Sequence, residues 1–232
     1  MLIGGQALKV WVDLYEVTLP AQFAYVSSDV EFLAESAASV DAVRVLARAL
    51  GGTAIFPKRR GALTALVGRA VKLVGDDALF NVDVLHRVFG ADESVRARAV
   101  VLRVPEATFR VMHPLDVLKS RLDDLHGLPE KQNELGKAQL RAAIDMARAF
   151  QREAAATVTG GRARRPVTLR YASFIEGLAT GDAGKKVAVR HKIHVADAID
   201  VPNREFKERK LPQLARWMSP ERRKALGLGA PT

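Results

Sequence analysis

The stretch Ser27-Ser28-Asp29-Val30-Glu31-Phe32-Leu33 decides how this chain folds and what it can do. Read as a strand over 29–34, its side chains alternate, so Asp29 and Glu31 project from one face while Val30 and Phe32 turn into a core. Two carboxylates crowded on one small surface repel each other unless a cation sits between them. Mg²⁺ takes hard oxygen ligands of this kind and keeps waters for substrate phosphates. An isolated Asp-x-Glu is more often an ordinary exposed strand face with two solvated acids, so the surrounding residues decide between the readings.

Upstream, Gly4-Gly5 follows a short apolar start and directly precedes the helical run Gln6-Ala7-Leu8-Lys9-Val10-Trp11. Glycines at a strand-to-helix junction let the backbone approach a ligand closely, and the helix N-terminus offers unpaired N–H groups to a phosphate. The same pair serves equally well as a tight turn. Downstream, Asp83 lies in Leu79-Phe80-Asn81-Val82-Asp83-Val84-Leu85, a strand whose apolar flanks imply burial. A carboxylate in such company is costly unless paired or metal-bound. Asp29 and Glu31 with a shared cation are the partners this reading offers it, and removing any one of the three acids is then expected to relieve repulsion in the metal-free protein.

Around these residues the periodicity gives a helix at 5–15, the strand at 29–34, a helix at 40–50 and a strand at 53–57. Strands at 62–74, 79–88, 98–103 and 108–112 follow. The chain turns helical at His113-Pro114, where proline suits a helix N-terminus and His113 reads as a helix-start residue. Helices are predicted over 115–126, 130–156, 167–179, 186–199 and 206–226, the first carrying a buried stripe of Leu115, Leu118, Leu122 and Leu125. The expectation is an α+β protein: a mixed sheet with helices over 1–112, then a mainly helical region over 113–232. Thr159-Gly-Gly-Arg-Ala-Arg-Arg-Pro166 reads as a linker and Lys58-Arg59-Arg60-Gly61 as a hairpin tip.

Composition narrows the chemistry. Of 232 residues 48% are hydrophobic and 27% charged, the balance of a globular protein. The absence of cysteine excludes disulfides, thiolate metal sites and cysteine nucleophiles. No apolar run reaches the roughly 18 residues a membrane span needs. Met1 is followed by Leu-Ile-Gly-Gly rather than a charged and then apolar leader, so a cytoplasmic location is expected. The net charge of +10 falls entirely within residues 101–232. A neutral first part joined to a basic second part suggests a chemistry module beside one that faces a polyanion; Arg-rich helices that merely solvate a surface account for the charge equally well.

Gly-Gly opening a helix, an apolar-flanked Asp-x-Glu and a single Asp on a later strand together resemble the nucleotidyltransferase superfamily of the DNA polymerase β type. The layout of Ile3-Gly-Gly-Gln-Ala-Leu8, Ser28-Asp-Val-Glu-Phe32, Asn81-Val-Asp-Val-Leu85 and Val111-Met-His-Pro-Leu-Asp-Val-Leu-Lys-Ser-Arg121 is similar to the bacterial AbiEii and MenT type. The resemblance covers about residues 1–125. It departs from the commoner pattern in its Asp-Glu rather than Asp-Asp pair, in Ser27-Ser28 for the usual Gly-Ser, and in having little more than Leu2-Ile3 as a first strand.

The resemblance implies an enzyme that uses Mg²⁺ to move a nucleoside monophosphate from a nucleoside triphosphate to an acceptor hydroxyl. Asp29, Glu31 and Asp83 would hold the metal. Gly4, Gly5 and Ser28 would support the phosphates, and Lys119 would neutralise phosphate charge from the edge of a cleft. Arg121, on another side of the same helix, is the weaker candidate. A solvated helix flank with Asp123 as partner explains Lys119 about as well. The toxin-like resemblance and the basic half make tRNA or another structured RNA a candidate acceptor and an antitoxin protein a candidate partner. A small-molecule or protein acceptor, and a non-catalytic nucleic-acid-binding relative, are the alternatives.

Other residues fall to simpler readings. His191-Lys-Ile-His194 lacks a third ligand and reads as part of a basic surface helix. Trp11 and Trp217 read as core or interface. The clusters Arg162/Arg164/Arg165, Lys185/Lys186/Arg190/Lys192 and Lys207/Arg209/Lys210 suit backbone contact with RNA more than a stacking platform.

Overall fold

A computed structural model describes residues 1–19, 30–57, 65–75, 78–105, 107–159, 166–200 and 204–229. It is a mixed α+β protein with a helical C-terminal part. The chain runs β1 (Leu2–Ile3), α1 (Gly4–Leu14), β2 (Val30–Leu33), α2 (Val40–Leu50), β3 (Thr53–Ile55), β4 (Leu66–Val74), β5 (Ala78–Leu85), α3 (Val95–Arg98), β6 (Val100–Val104) and β7 (Ala107–Val111). These strands form one sheet in the order β3-β4-β5-β2-β1-β7-β6. The β2–β5 and β1–β7 pairs are parallel and the others antiparallel. Two residues do suffice for the first strand: β1 pairs on both sides, and its ladder is extended by Leu33 N–H to Met1 O at 2.8 Å and Met112 N–H to Leu2 O at 2.9 Å.

Strand alternation sets what each sheet face does. Val82 and Val84 of β5, with Val67 and Ala70 of β4, pack on Val43 and Ala47 of α2, and Val30 and Phe32 join that layer. The i,i+4 spacing of Val43 and Ala47 puts both on one helix face. Glu31 and Asp83, one residue out of phase, point to the opposite face of the sheet. The ends of β2 and β5 are tied by Arg96, whose guanidinium donates to Ala34 O at 2.7 and 3.1 Å and to His86 O at 2.7 Å. Nothing in the sequence pattern singles Arg96 out, since its carbonyl partners carry no side-chain signature.

The remaining helices are α4 (Pro114–Gly127), α5 (Glu134–Thr159), α6 (Pro166–Thr180), α7 (Asp182–His191), α8 (Arg204–Arg209), α9 (Leu211–Leu214) and α10 (Pro220–Ala225). The helix predicted over 186–199 stops at His191 because Lys192 takes a left-handed conformation at φ 56, and a short 3₁₀ turn covers Val195–Ala198. The one predicted over 206–226 is broken into α8, α9, a 3₁₀ turn at Ala215–Trp217 and α10. Pro220 starts the last of these with Ser219 as its cap, accepting from Arg222 N–H at 3.2 Å. Of the linker expected over 159–166, Thr159 ends α5 and Pro166 starts α6; residues 160–165 and the hairpin tip at Lys58-Arg59-Arg60-Gly61 lie outside the described residues.

The chain divides into two compact units, Met1–Val10 with Tyr25–Ser120, and Trp11–Ala24 with Arg121–Thr232. The boundary between these units at 120/121 lies within α4, eight residues beyond the division expected at 112/113, and the second unit also takes in 11–24. The whole sheet belongs to the first unit. In the second, Gln151 of α5 donates to Ala198 O at 2.6 Å and Arg148 to Asp197 O at 2.8 Å, so α5 holds the 3₁₀ turn after α7.

Candidate active site

Two of the expected acidic residues are register partners on the first unit's sheet. β2 and β5 run parallel with Glu31 directly opposite Asp83, which places their Cα atoms about 4.8 Å apart on one face. On the other side of β2, Ile3 of β1 is the register partner of Glu31, so the start of α1 sits beside the same carboxylate. Gly4 takes φ +66, and a Cβ built there would lie 1.5 Å from Glu31 Oε2. Only a residue without a side chain lets the Glu31 carboxyl occupy this position at the α1 N-terminus, where the helix dipole favours negative charge. Gly5, in the first turn of α1, is buried.

Asp83 has a different partner from the one read in the sequence. Its carboxylate accepts from Arg69 of β4, with Nη2 to Oδ2 at 2.8 Å and Nε to Oδ1 closing a bidentate pair. Arg69 and Asp83 are register partners in the β4–β5 hairpin. The cost of burying Asp83 is thus met by a cation of the chain itself. Asp29 and Ser28 lie outside the described residues. Among the described residues no group of three His, Cys, Asp or Glu side chains is placed to hold a metal ion. The donor chemistry of Glu31 and Asp83, two hard carboxylates on adjacent strands, nonetheless fits a divalent ion such as Mg²⁺. The chain matches no family model. Nor does any curated protein match it.

Lys119 of α4 turns its ammonium to the carbonyl of Gly90 in the segment after β5. This segment is anchored to α4 at a second point. Asp116, 3% exposed, takes two bonds of 2.8 Å from Arg98, which also reaches Asp92 at 3.2 Å and the Ser94 hydroxyl. Arg121 is internal: 8% exposed, it pairs with Asp124 at 2.8 Å and with Gln139 at 3.3 Å.

His113 does start α4. Leu115 N–H donates to His113 Nδ1 at 3.2 Å, which requires that nitrogen to be unprotonated. Burial pushes the imidazole pKa down, and Arg98 lowers it further against the opposing pull of Asp116. The unfolded chain therefore binds this proton more readily. The contribution of neutral His113 is full above about pH 6.5 and is lost as pH falls from there through the lower folded-state pKa. Urea unfolding across pH 7 to 5 is expected to show a shallower decline for His113→Asn, which keeps a cap acceptor but does not titrate; an unchanged slope would remove His113 as its source.

In the second unit, Lys185 and Arg216 lie over the Trp217 ring at 5.6 and 5.5 Å, and Lys186 pairs with Asp182 at 2.7 Å. A pocket of about 420 Å³ is lined by Leu125 and Val187 with Lys185, Lys186 and Arg190 among its basic residues. His194 Nδ1 lies 3.2 Å from Trp217 O. Trp11 is 2% exposed and stacks on Tyr15, a core residue as expected. Arg162, Arg164 and Arg165 lie outside the described residues.

Proposed function

We propose that this protein is a divalent-metal-dependent nucleotidyltransferase. The observation that carries the reading is the direct register pairing of Glu31 with Asp83 on one sheet face, with the Gly4 start of α1 against the Glu31 carboxyl. Two carboxylates on adjacent strands are ligands of the kind a divalent cation takes, and the N–H groups of a helix start are donors of the kind a phosphate takes, which supports this reading.

Mg²⁺, when bound, would neutralise triphosphate charge and polarise the α-phosphoryl group. Glu31 and Asp83 would hold it, with Asp29 the expected third ligand. Gly4 and Gly5 would support phosphate oxygens at the α1 backbone only with the Glu31 carboxyl moved from beside Gly4. An acceptor oxygen forms its bond to the α-phosphorus as the bond to the β-phosphate oxygen breaks; pyrophosphate leaves, and the acceptor's hydroxyl proton passes to solvent or a nearby carboxylate. The basic second half favours an RNA acceptor, tRNA included, over a small molecule or protein.

The test is incubation with each labelled nucleoside triphosphate, Mg²⁺ and bulk RNA, followed by separation of RNA, protein and small products. Label in RNA with release of pyrophosphate, absent from Glu31→Gln, supports the full reading. Label in protein or a small molecule keeps the chemistry and replaces the acceptor. No transfer of any nucleotide to any fraction overturns it. For an RNA acceptor, joint replacement of Lys185, Lys186 and Arg190 is expected to weaken RNA binding and flatten its salt dependence without changing nucleotide affinity.

A further inference from the structure

We infer that Arg69 is the resident counter-ion of the acidic pair, and that a divalent ion enters the site by displacing it from Asp83. This deepens the metal-binding reading above and rests on it. Three charged residues stand in a row on neighbouring strands: Arg69 on β4, Asp83 on β5 and Glu31 on β2, each the register partner of the next. The guanidinium takes both oxygens of Asp83, and a planar fork on a carboxylate is the strongest geometry such a pair adopts. Asp83 is 17% exposed and Arg69 44%, so the cation is the more accessible member.

A divalent ion shared by Glu31 and Asp83 needs oxygen lone pairs that face it, at about 2.1 Å for Mg²⁺. With the fork in place, that ion and the guanidinium would be like charges crowded on one carboxylate, a repulsion that the half-buried setting screens poorly. Loading is therefore a cation exchange. Before it, Arg69 holds the Asp83 side chain in place and cancels part of the repulsion from Glu31, so the acids are arranged without metal. After it, a permanently charged group with five N–H donors is released beside the site where a triphosphate would lie. Lysine would not do the same, because its single ammonium cannot occupy both oxygens in a fixed plane.

The experiment measures Mn²⁺ affinity by electron paramagnetic resonance and thermal unfolding with and without Mn²⁺, on the wild type, Arg69→Gln, Arg69→Lys and Asp83→Asn. Arg69→Gln is expected to bind Mn²⁺ about tenfold more tightly, with Arg69→Lys between it and wild type. Without metal Arg69→Gln should melt below wild type, and saturating Mn²⁺ should narrow the gap, because only the wild type gives up an ion pair on loading. Should Arg69→Gln fail to fold, Arg69→Lys decides by the same comparison. Unchanged or weaker Mn²⁺ affinity in a folded Arg69 variant, while Asp83→Asn loses binding, overturns the exchange and leaves the metal site standing. Equal binding by wild type and Asp83→Asn overturns the metal reading and the exchange with it.

Discussion

Glu31→Gln and Asp83→Asn are each expected to remove the proposed Mg²⁺-dependent transfer, by at least about a thousandfold in rate, yet to part company in stability. Glu31 lies at the start of α1, where a carboxylate gains roughly 0.3–1 kcal/mol from the helix dipole. It also faces the like charge of Asp83 across the β2–β5 pair. The two effects oppose, and Glu31→Gln is expected to unfold within about 0.5 kcal/mol of wild type. Asp83→Asn leaves Arg69 with one neutral acceptor in place of a carboxylate. Because Arg69 is 44% exposed and water can solvate it, the expected loss is about 1–2 kcal/mol rather than that of a fully buried pair. Sequence alone predicts relief of repulsion at every acid; the Arg69 pair reverses the sign at Asp83. Steady-state transfer assays and urea titrations on purified variants check both halves. Wild-type transfer by either variant would end the mechanism, and equal stability of Asp83→Asn and wild type would remove the ion pair from the energetics.

Gly4→Ala is the second large change. Its backbone sits at φ +66, where a Cβ costs about 1–2 kcal/mol. That atom would also lie 1.5 Å from Glu31 Oε2, so the carboxyl must leave its place at the helix start. The expected outcome is a loss of about 2–3 kcal/mol together with a fall in metal affinity and transfer as severe as that of Glu31→Gln. A double-mutant cycle separates the two causes. In a Glu31→Ala background the collision is gone and Gly4→Ala should cost only the backbone strain, leaving a coupling of about 1 kcal/mol. Strict additivity in denaturant melts would show that the two residues do not contend for the same space.

What the sequence by itself determined is local. The alternation in Asp29-Val30-Glu31-Phe32 separated a core face from an acidic face, and the structure puts Val30 and Phe32 with the α2 layer and Glu31 opposite Asp83. Helix and strand positions followed from periodicity because an amphipathic face must be buried wherever it ends up. Gly4 was readable as a residue needed for close approach, although what approaches it most closely is Glu31 itself. The partner of Asp83 depended on strand register. It was within reach, since counting back from the turn after Val74 pairs Val74 with Ala78 and so Arg69 with Asp83, but only a decision about the hairpin makes that count meaningful. The bonds of Arg96 to Ala34 and His86 had no comparable signal, because backbone carbonyls look alike in every sequence. The break at Lys192 was equally hidden, since a lysine in a left-handed turn reads in sequence as an ordinary helical residue. Periodicity is a property of neighbours along the chain, whereas register, backbone partners and the choice of counter-ion arise only when distant strands meet, and there the tertiary structure decided.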